Sequence, residues 1–355
     1  MSFKNFIHQL NKNGRQRLPF LFVIDFEIQR PFVMELHEVD NAVIRYSMDD
    51  GFLKRGNYEP HPSPITHQSS SLPYGGKVGA ASVPDGVKSI LSKSPLPFQT
   101  YQKAFDIVKG NLNYGNSFLT NLTAETPIEL GISMEEVFAR AKAKYKLYIK
   151  DNFLCYSPET FVQITPEGKI SSFPMKGTID AKLPDAEKLI LSDLKEKYEH
   201  TTIVDLIRND LSRVCDKVWV ERFRYLDKIT KDDGRELLQV SSEVCGQLPT
   251  DWQDHIGDIF GKLLPAGSVS GAPKGKTLSI IQEAEKLTYI NGKRGFYTGI
   301  FGVFDGEHLN SGVMIRFIEK RNGQFFFKSG GGITTRSDAR KEYDELVDKI
   351  YLPLG

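Results

Sequence analysis

The chain has 355 residues, 40% of them hydrophobic, and balances 46 basic against 45 acidic side chains. The apolar content supports one large core or two ordinary domains, and the even charge gives no basic field for nucleic acid. Three cysteines, Cys155, Cys215 and Cys245, match neither a disulfide framework nor a zinc pattern and read as buried thiols of a cytosolic protein.

The opening MSFKNFIHQLNKNGRQ lacks the apolar run of a signal peptide. LPFLFVI, within a strand expected over Leu18–Phe26, is too short to span a membrane. A soluble, cytoplasmic chain is therefore expected. AVIRYSM from Ala42 reads as a second strand, and the Pro-, Ser- and Gly-rich run from His61 to Gly86 as a long loop. FQTYQKAFDIVKGNL has helical spacing and ends at the breaker NYGN, and SFLTNLTAETPIEL from Ser117 reads as a strand. Ser133 and Glu136 form a capping box ahead of a helix over VFARAKAKY. Short strands follow between Lys146 and Phe173, broken at Asp151-Asn152, Ser157-Pro158 and Pro166-Glu167-Gly168.

Pro184 and Asp185 open a helical pattern that reaches about Val214. ELLQVSSEVCG reads as a strand, and Asp251–Leu264 as a helix. LPAGSVSGAPKGK is a Gly-rich turn into a helix through Leu287. Strands are expected at Gly295–Phe304, Ser311–Ile318 and Gln324–Lys328, then a break at SGGGITT, then a helix over Ser337–Tyr351. Strands in runs with long, scattered helices indicate an α+β or layered architecture.

Several stretches carry chemistry. Glu196 and Glu199 share a helix face, as do Glu342 and Glu345, with Lys349 one turn beyond. Two such helices facing each other give four carboxylates for a hard cation such as Mg²⁺; the alternative is ordinary helix surface with intrahelical pairs. GSVSGAPKGKT fails as a phosphate loop, because Ser270 stands where that loop needs glycine and no strand precedes it. What remains is a turn whose free N–H groups can hold a carboxylate, or a plain tight turn. SGGGITT offers a second stretch of bare backbone. Arg316, in the apolar GVMIRF, points to solvent or pairs with an anion, and Tyr297 gives that anion a hydroxyl or simply packs.

In this order, SPE, PMKGT, YEHTTIVDLIRNDL, PAGSVSGAPK, GFYTGIFG, IRF, SGGGIT and KEYDE resemble the chorismate-utilising enzymes over roughly Tyr101–Tyr351. Within that family the resemblance is greatest to component I of aminodeoxychorismate synthase, with component I of anthranilate synthase as the alternative. It implies an α+β fold of two packed antiparallel β-sheets surrounded by helices. Residues 1–95 would be a short N-terminal part of the same fold, with the loop at about 61–86, and 96–355 the chorismate-binding catalytic region.

The resemblance further implies chorismate as substrate and Mg²⁺ as cofactor. Glu199 and Glu345 would ligate the ion, and Glu196 and Glu342 would hold its waters. Thr178, Tyr297, Arg316, Gly330, Gly332, Lys349 and the Ser270-Gly271 turn would hold the substrate. Glu159 would be the general acid. Lys176, where anthranilate synthases resemble PIAGT, would be the nucleophile, with its pKa lowered by burial or by the metal. A separate glutamine amidotransferase subunit would supply ammonia, for folate synthesis. Leu119 stands where isochorismate and salicylate enzymes carry a water-activating lysine, which argues against those activities, and Gln239 replaces a frequent histidine. No LLES-like tryptophan-binding segment is present, which argues against the anthranilate alternative.

Overall fold

Side-chain alternation along the strands sets the architecture. Along Phe20–Ile24 every residue is buried, but Leu21 and Val23 join one hydrophobic cluster while Phe20, Phe22 and Ile24 join another. Along Phe153–Ser157, Phe153 and Cys155 share the cluster of Leu21 and Val23, and Leu154 and Tyr156 face a third. Both strands therefore belong to sheets that meet face to face and carry a second layer outside. Fully burying each such aromatic or aliphatic side chain contributes about 1.5–3 kcal/mol.

The computed structural model describes residues 1–49, 52, 55–57, 90–230 and 236–354. The loop expected at 61–86 lies outside the described residues. Among the described residues two antiparallel sheets of nine strands each form. The first runs in the order Met175–Asp180, Glu236–Gln247, Lys169–Ser172, Thr160–Ile164, Leu309–Val313, Ile300–Phe304, Phe20–Ile24 and Phe32–Glu35, with Lys217–Thr230 also on Glu236–Gln247. The second runs Gly271–Ala272, Leu119–Leu130, Gln324–Ile333, Phe317–Arg321, Phe153–Ser157, Tyr145–Ile149, Ile44–Met48 and Arg55–Gly56, with Ile90–Lys93 also on Leu119–Leu130. Helices Phe3–Arg15, Leu194–Leu211 and Ile256–Leu263 cover the outer face of the first sheet. Helices Phe98–Tyr114, Met134–Arg140, Lys274–Ala284 and Ala339–Asp348 cover the second. The α+β, two-sheet architecture is the expected one. No helix among the described residues is long and apolar enough to cross a membrane.

Several element expectations need correction. Helix Phe3–Arg15 and strand Lys217–Thr230 were not read from the sequence. The helix puts Phe3, Phe6, Ile7 and Leu10 on one face against the first core, and its N-cap Ser2 accepts the Asn5 N–H. The helix expected over 184–214 is two, because Asp193 leaves helical geometry and caps Leu194–Leu211 by accepting the Glu196 N–H. Ser133 caps its helix as expected, but that helix stops at Arg140 and Tyr145 already starts a strand. The strand expected at Ser311–Ile318 breaks at Arg316, whose φ is 53°, and its halves join different sheets. SGGG is not a break: Gly330, Gly331 and Gly332 continue the strand Gln324–Ile333, opposite Thr123, Leu122 and Asn121.

One buried group ties the layers together. Arg294 is fully buried and donates to both carboxylate oxygens of Glu285, at 2.8 and 2.7 Å. It also donates to the carbonyls of Val269 (2.7 Å) and Asn121 (2.6 Å) and to Thr298 Oγ1 (3.2 Å). Glu285 further accepts from the Thr123 N–H and hydroxyl. A guanidinium has five N–H donors, and this one spends them on a strand, a turn and a helix end. Removing one partner of such a pair strands a buried charge, at a cost of about 3–5 kcal/mol. Glu285→Gln is therefore expected to lower the unfolding free energy measured in urea by about 3–5 kcal/mol, and Glu285→Met with Arg294→Met together to cost less than the two single changes summed.

Candidate active site

A cleft of about 810 Å³ spans the two sheets. Lys176 enters it from the strand Met175–Asp180. Against Glu236–Gln247, Met175 pairs with Ser241 and Thr178 with Gln239, so the strand carries one extra residue. Gly177 takes the extra turn with φ 88°, a left-handed backbone that a side chain would strain. The bulge presses the strand onto the first turns of Leu194–Leu211: a Cβ at Gly177 would lie 3.1 Å from Glu196 Oε2. Lys176 Nζ stands 2.9 Å from Glu199 Oε2.

The two glutamate pairs come from opposite walls. Glu196 lies in the first turn of its helix, where the helix dipole favours negative charge, and Glu199 lies one turn further on the same face. Glu342 and Glu345 lie on Ala339–Asp348, started by Asp338 accepting the Lys341 N–H. A Cβ at Gly331 would meet Lys349 Nζ at 3.6 Å, Glu342 Oε2 at 3.7 Å and Glu345 Oε1 at 3.8 Å. Lys349 pairs with Glu345 at 2.7 Å and donates to the Gly330 carbonyl at 2.8 Å. Burial disfavours the Lys176 ammonium, but Glu199, Glu196 and Glu345 outweigh it and hold the amine above its ordinary pKa. The expected lowering is thus not a property of the chain alone. The donors are all carboxylate oxygens, the set a hard divalent cation takes, and the ammonium already sits in the field of three of them. No three His, Cys, Asp or Glu side chains among the described residues converge as a closed cage.

Glu159 sits in the turn between Phe153–Ser157 and Thr160–Ile164, and Ser268 donates to its Oε1 at 2.5 Å. Burial pushes its pKa up, against the lowering effects of the Ser268 hydroxyl and the charges of Arg316 and Lys349. Arg316 lines the cleft at the point where the chain crosses between sheets, its Nε 3.4 Å from Tyr351 Oη. Tyr297 lines it too; burial holds its hydroxyl protonated.

The cleft wall contains Glu159, Lys176, Thr178, Glu196, Glu199, Tyr297, Arg316, Gly330, Gly332, Glu345 and Lys349. Glu342 lies behind Gly331, outside that lining. Ser270 and Gly271 do not reach it. Ser270 is fully buried and donates to the Ala266 carbonyl, and Gly271, at φ 139°, lies so close to Leu119 that a Cβ would meet its carbonyl at 1.9 Å. Ser268, two residues earlier in the same turn, is the residue that reaches Glu159. Sequence reasoning also missed Asp210, which lines the cleft and pairs with Lys274 at 2.8 Å. Desolvation raises the Asp210 pKa and lowers that of Lys274, and Lys274 is further held by the Leu263 carbonyl. Both residues lie inside motifs that were quoted, RNDL and GAPK, but only folding shows that they meet. Leu119 and Gln239 line the cleft as well.

A family model for chorismate binding enzymes matches residues 6–355. A relative from Haemophilus influenzae, described as an uncharacterized PabA-like protein, is 46% identical over 99% of this chain and 98% of its own. Aminodeoxychorismate synthase component 1 of Bacillus subtilis is 30% identical across 73% of this chain and 55% of its own. Among solved structures, anthranilate synthase component I from Streptococcus pneumoniae superposes with a TM-score of 0.60 at 25% identity, covering 74% of this chain and 59% of that one.

The raised pKa of Glu159 has a thermodynamic consequence. Below the unfolded-state value, about 4.3, the carboxyl is protonated in both states and costs nothing. As pH rises through the folded value the native state must ionise a buried group, so stability is lost and the loss is complete above it. Glu159→Gln removes that loss. Thermal melts are expected to show the variant at least as stable as the native protein at pH 7, with any advantage gone near pH 4. An equal loss of stability at both pH values would contradict the assignment.

Proposed function

The chain belongs to the family of chorismate-binding enzymes, and on that premise we propose that it aminates chorismate to 4-amino-4-deoxychorismate, as component I of an aminodeoxychorismate synthase. The observation that carries this reading is Lys176: an amine delivered by a strand bulge into the cleft, 2.9 Å from Glu199. The anthranilate reading has no use for a lysine at this position. Leu119 on the cleft wall offers no base to activate water in place of an amine.

The site residues divide the work. Arg316 and Lys349 are cations on the cleft wall, and both act on Glu159 through their charge. They hold the two carboxylates of the substrate, with Tyr297 and the backbone of Gly330 and Gly332 beside them. Glu199 and Glu345 would ligate Mg²⁺, with Glu196 and Glu342 holding its waters. The ion would neutralise the ring carboxylate and assist loss of the hydroxyl.

Lys176 first loses its ammonium proton to solvent; the neutral amine then forms a bond to ring carbon 2, a ring double bond shifts, and the bond from carbon 4 to its hydroxyl breaks. Glu159, whose pKa burial raises, gives its proton so that water leaves. Ammonia then bonds to carbon 4, the double bond shifts back, and the bond from carbon 2 to Lys176 breaks. Glu159 regains a proton from solvent. The net reaction exchanges hydroxyl for amine and releases water. A glutamine amidotransferase subunit would supply the ammonia, and the product would feed para-aminobenzoate and folate synthesis.

With chorismate, Mg²⁺ and ammonium, the protein is expected to yield a product that becomes para-aminobenzoate only after a separate lyase is added. Glu159→Gln is expected to lower kcat by about 10²–10⁴, and Lys176→Ala to abolish the amination. Direct formation of fluorescent anthranilate, or an unchanged rate in Lys176→Ala, would overturn the proposal.

A further inference from the structure

We propose that Lys176 and the divalent cation compete for Glu199, so that cation binding is the event that releases the lysine amine into the cleft. The inference rests on the reading of Glu199 as a magnesium ligand. It adds an order of events: without the ion, the nucleophile is tied up.

The geometry supplies the argument. Lys176 Nζ occupies Glu199 Oε2 at ion-pair distance, 2.9 Å. An ion bound directly to that carboxylate would sit about 2.0–2.1 Å from its oxygen, which places a dication and an ammonium on one carboxylate only a few Å apart. One must leave, and the doubly charged ion is the stronger partner for carboxylate oxygen. The lysine's backbone is held by the pairing of Met175–Asp180 with Glu236–Gln247. Only the side chain can move, and one-third of it is exposed towards the cleft.

Lys349, the ammonium on the facing helix, differs. Besides Glu345 it holds the Gly330 carbonyl at 2.8 Å, so it keeps an anchor when Glu345 turns to another cation. The two lysines that touch proposed ligands are thus built for different ends, one to stay and one to be displaced.

The test is calorimetric titration of Mg²⁺ into the substrate-free protein and into its Lys176→Met, Lys176→Arg and Glu199→Gln variants. Lys176→Met is expected to bind Mg²⁺ about tenfold more tightly, since it removes a unit charge a few Å from a dication. Lys176→Arg is expected to show no such gain. Unchanged or weaker binding in Lys176→Met, with binding still lost in Glu199→Gln, would overturn the competition and leave the metal assignment standing. Native-like binding in Glu199→Gln would overturn both. A second measurement needs no variant: acetylation of Lys176 in the native protein, followed by peptide mass spectrometry, is expected to rise severalfold when Mg²⁺ is added. No change on adding Mg²⁺ would contradict displacement.

Discussion

Negative charge gathered into one cleft has to be matched, and this requirement organises the site. Two helices, Leu194–Leu211 and Ala339–Asp348, bring Glu196, Glu199 and Glu345 to the cleft wall from different sheets, with Glu342 outside its lining. Like charges in a partly desolvated cleft raise the cost of ionisation unless cations stand among them. The chain answers with two lysines, Lys176 on Glu199 and Lys349 on Glu345. The same carboxylates decide the resting state of the amine within the cleft.

The scaffold beneath this balance is rigid. Arg294 ties the Leu119–Leu130 strand, the Gly267–Val269 turn and Glu285 behind the cleft. The turn carries Ser268, which holds Glu159, and the strand pairs with the glycines that Lys349 touches. A buried ion pair is weak evidence for stability in general. Here it links the turn that holds Glu159 to the strand beside Gly330 and Lys349. The raised pKa of Glu159 is the cost of that arrangement, and it is the property a proton donor needs at neutral pH.

Much of this was legible in the sequence, for physical reasons that differ from residue to residue. The glutamate pairs follow from helical periodicity, which is local, and the structure places both pairs on helices. The Ser133 cap and the all-buried strand at Phe20–Ile24 are local signals of the same kind. What was missed depends on partners far away in the chain. The bulge at Lys176 exists only against Glu236–Gln247. Arg316 was read into a strand because its neighbours from Val313 to Ile318 are apolar, yet the segment Ser311–Ile318 serves two sheets. The Ser270-Gly271 turn was expected at the cleft, but Ser270 is buried with its hydroxyl on the Ala266 carbonyl, and Ser268 is the residue that reaches Glu159. Arg294, in a stretch that reads as a polar turn, gave no sign of being the buried hub.

The central claim is that the Lys176 amine becomes covalently bound to the substrate. The most direct measurement is intact and peptide mass spectrometry of the protein trapped with chorismate and Mg²⁺ and without ammonium. The account predicts an adduct on Lys176 with the mass of the substrate less one water, discharged when ammonium is added. Full conversion of substrate on adding ammonium, with no adduct at Lys176 at any time point, would contradict it.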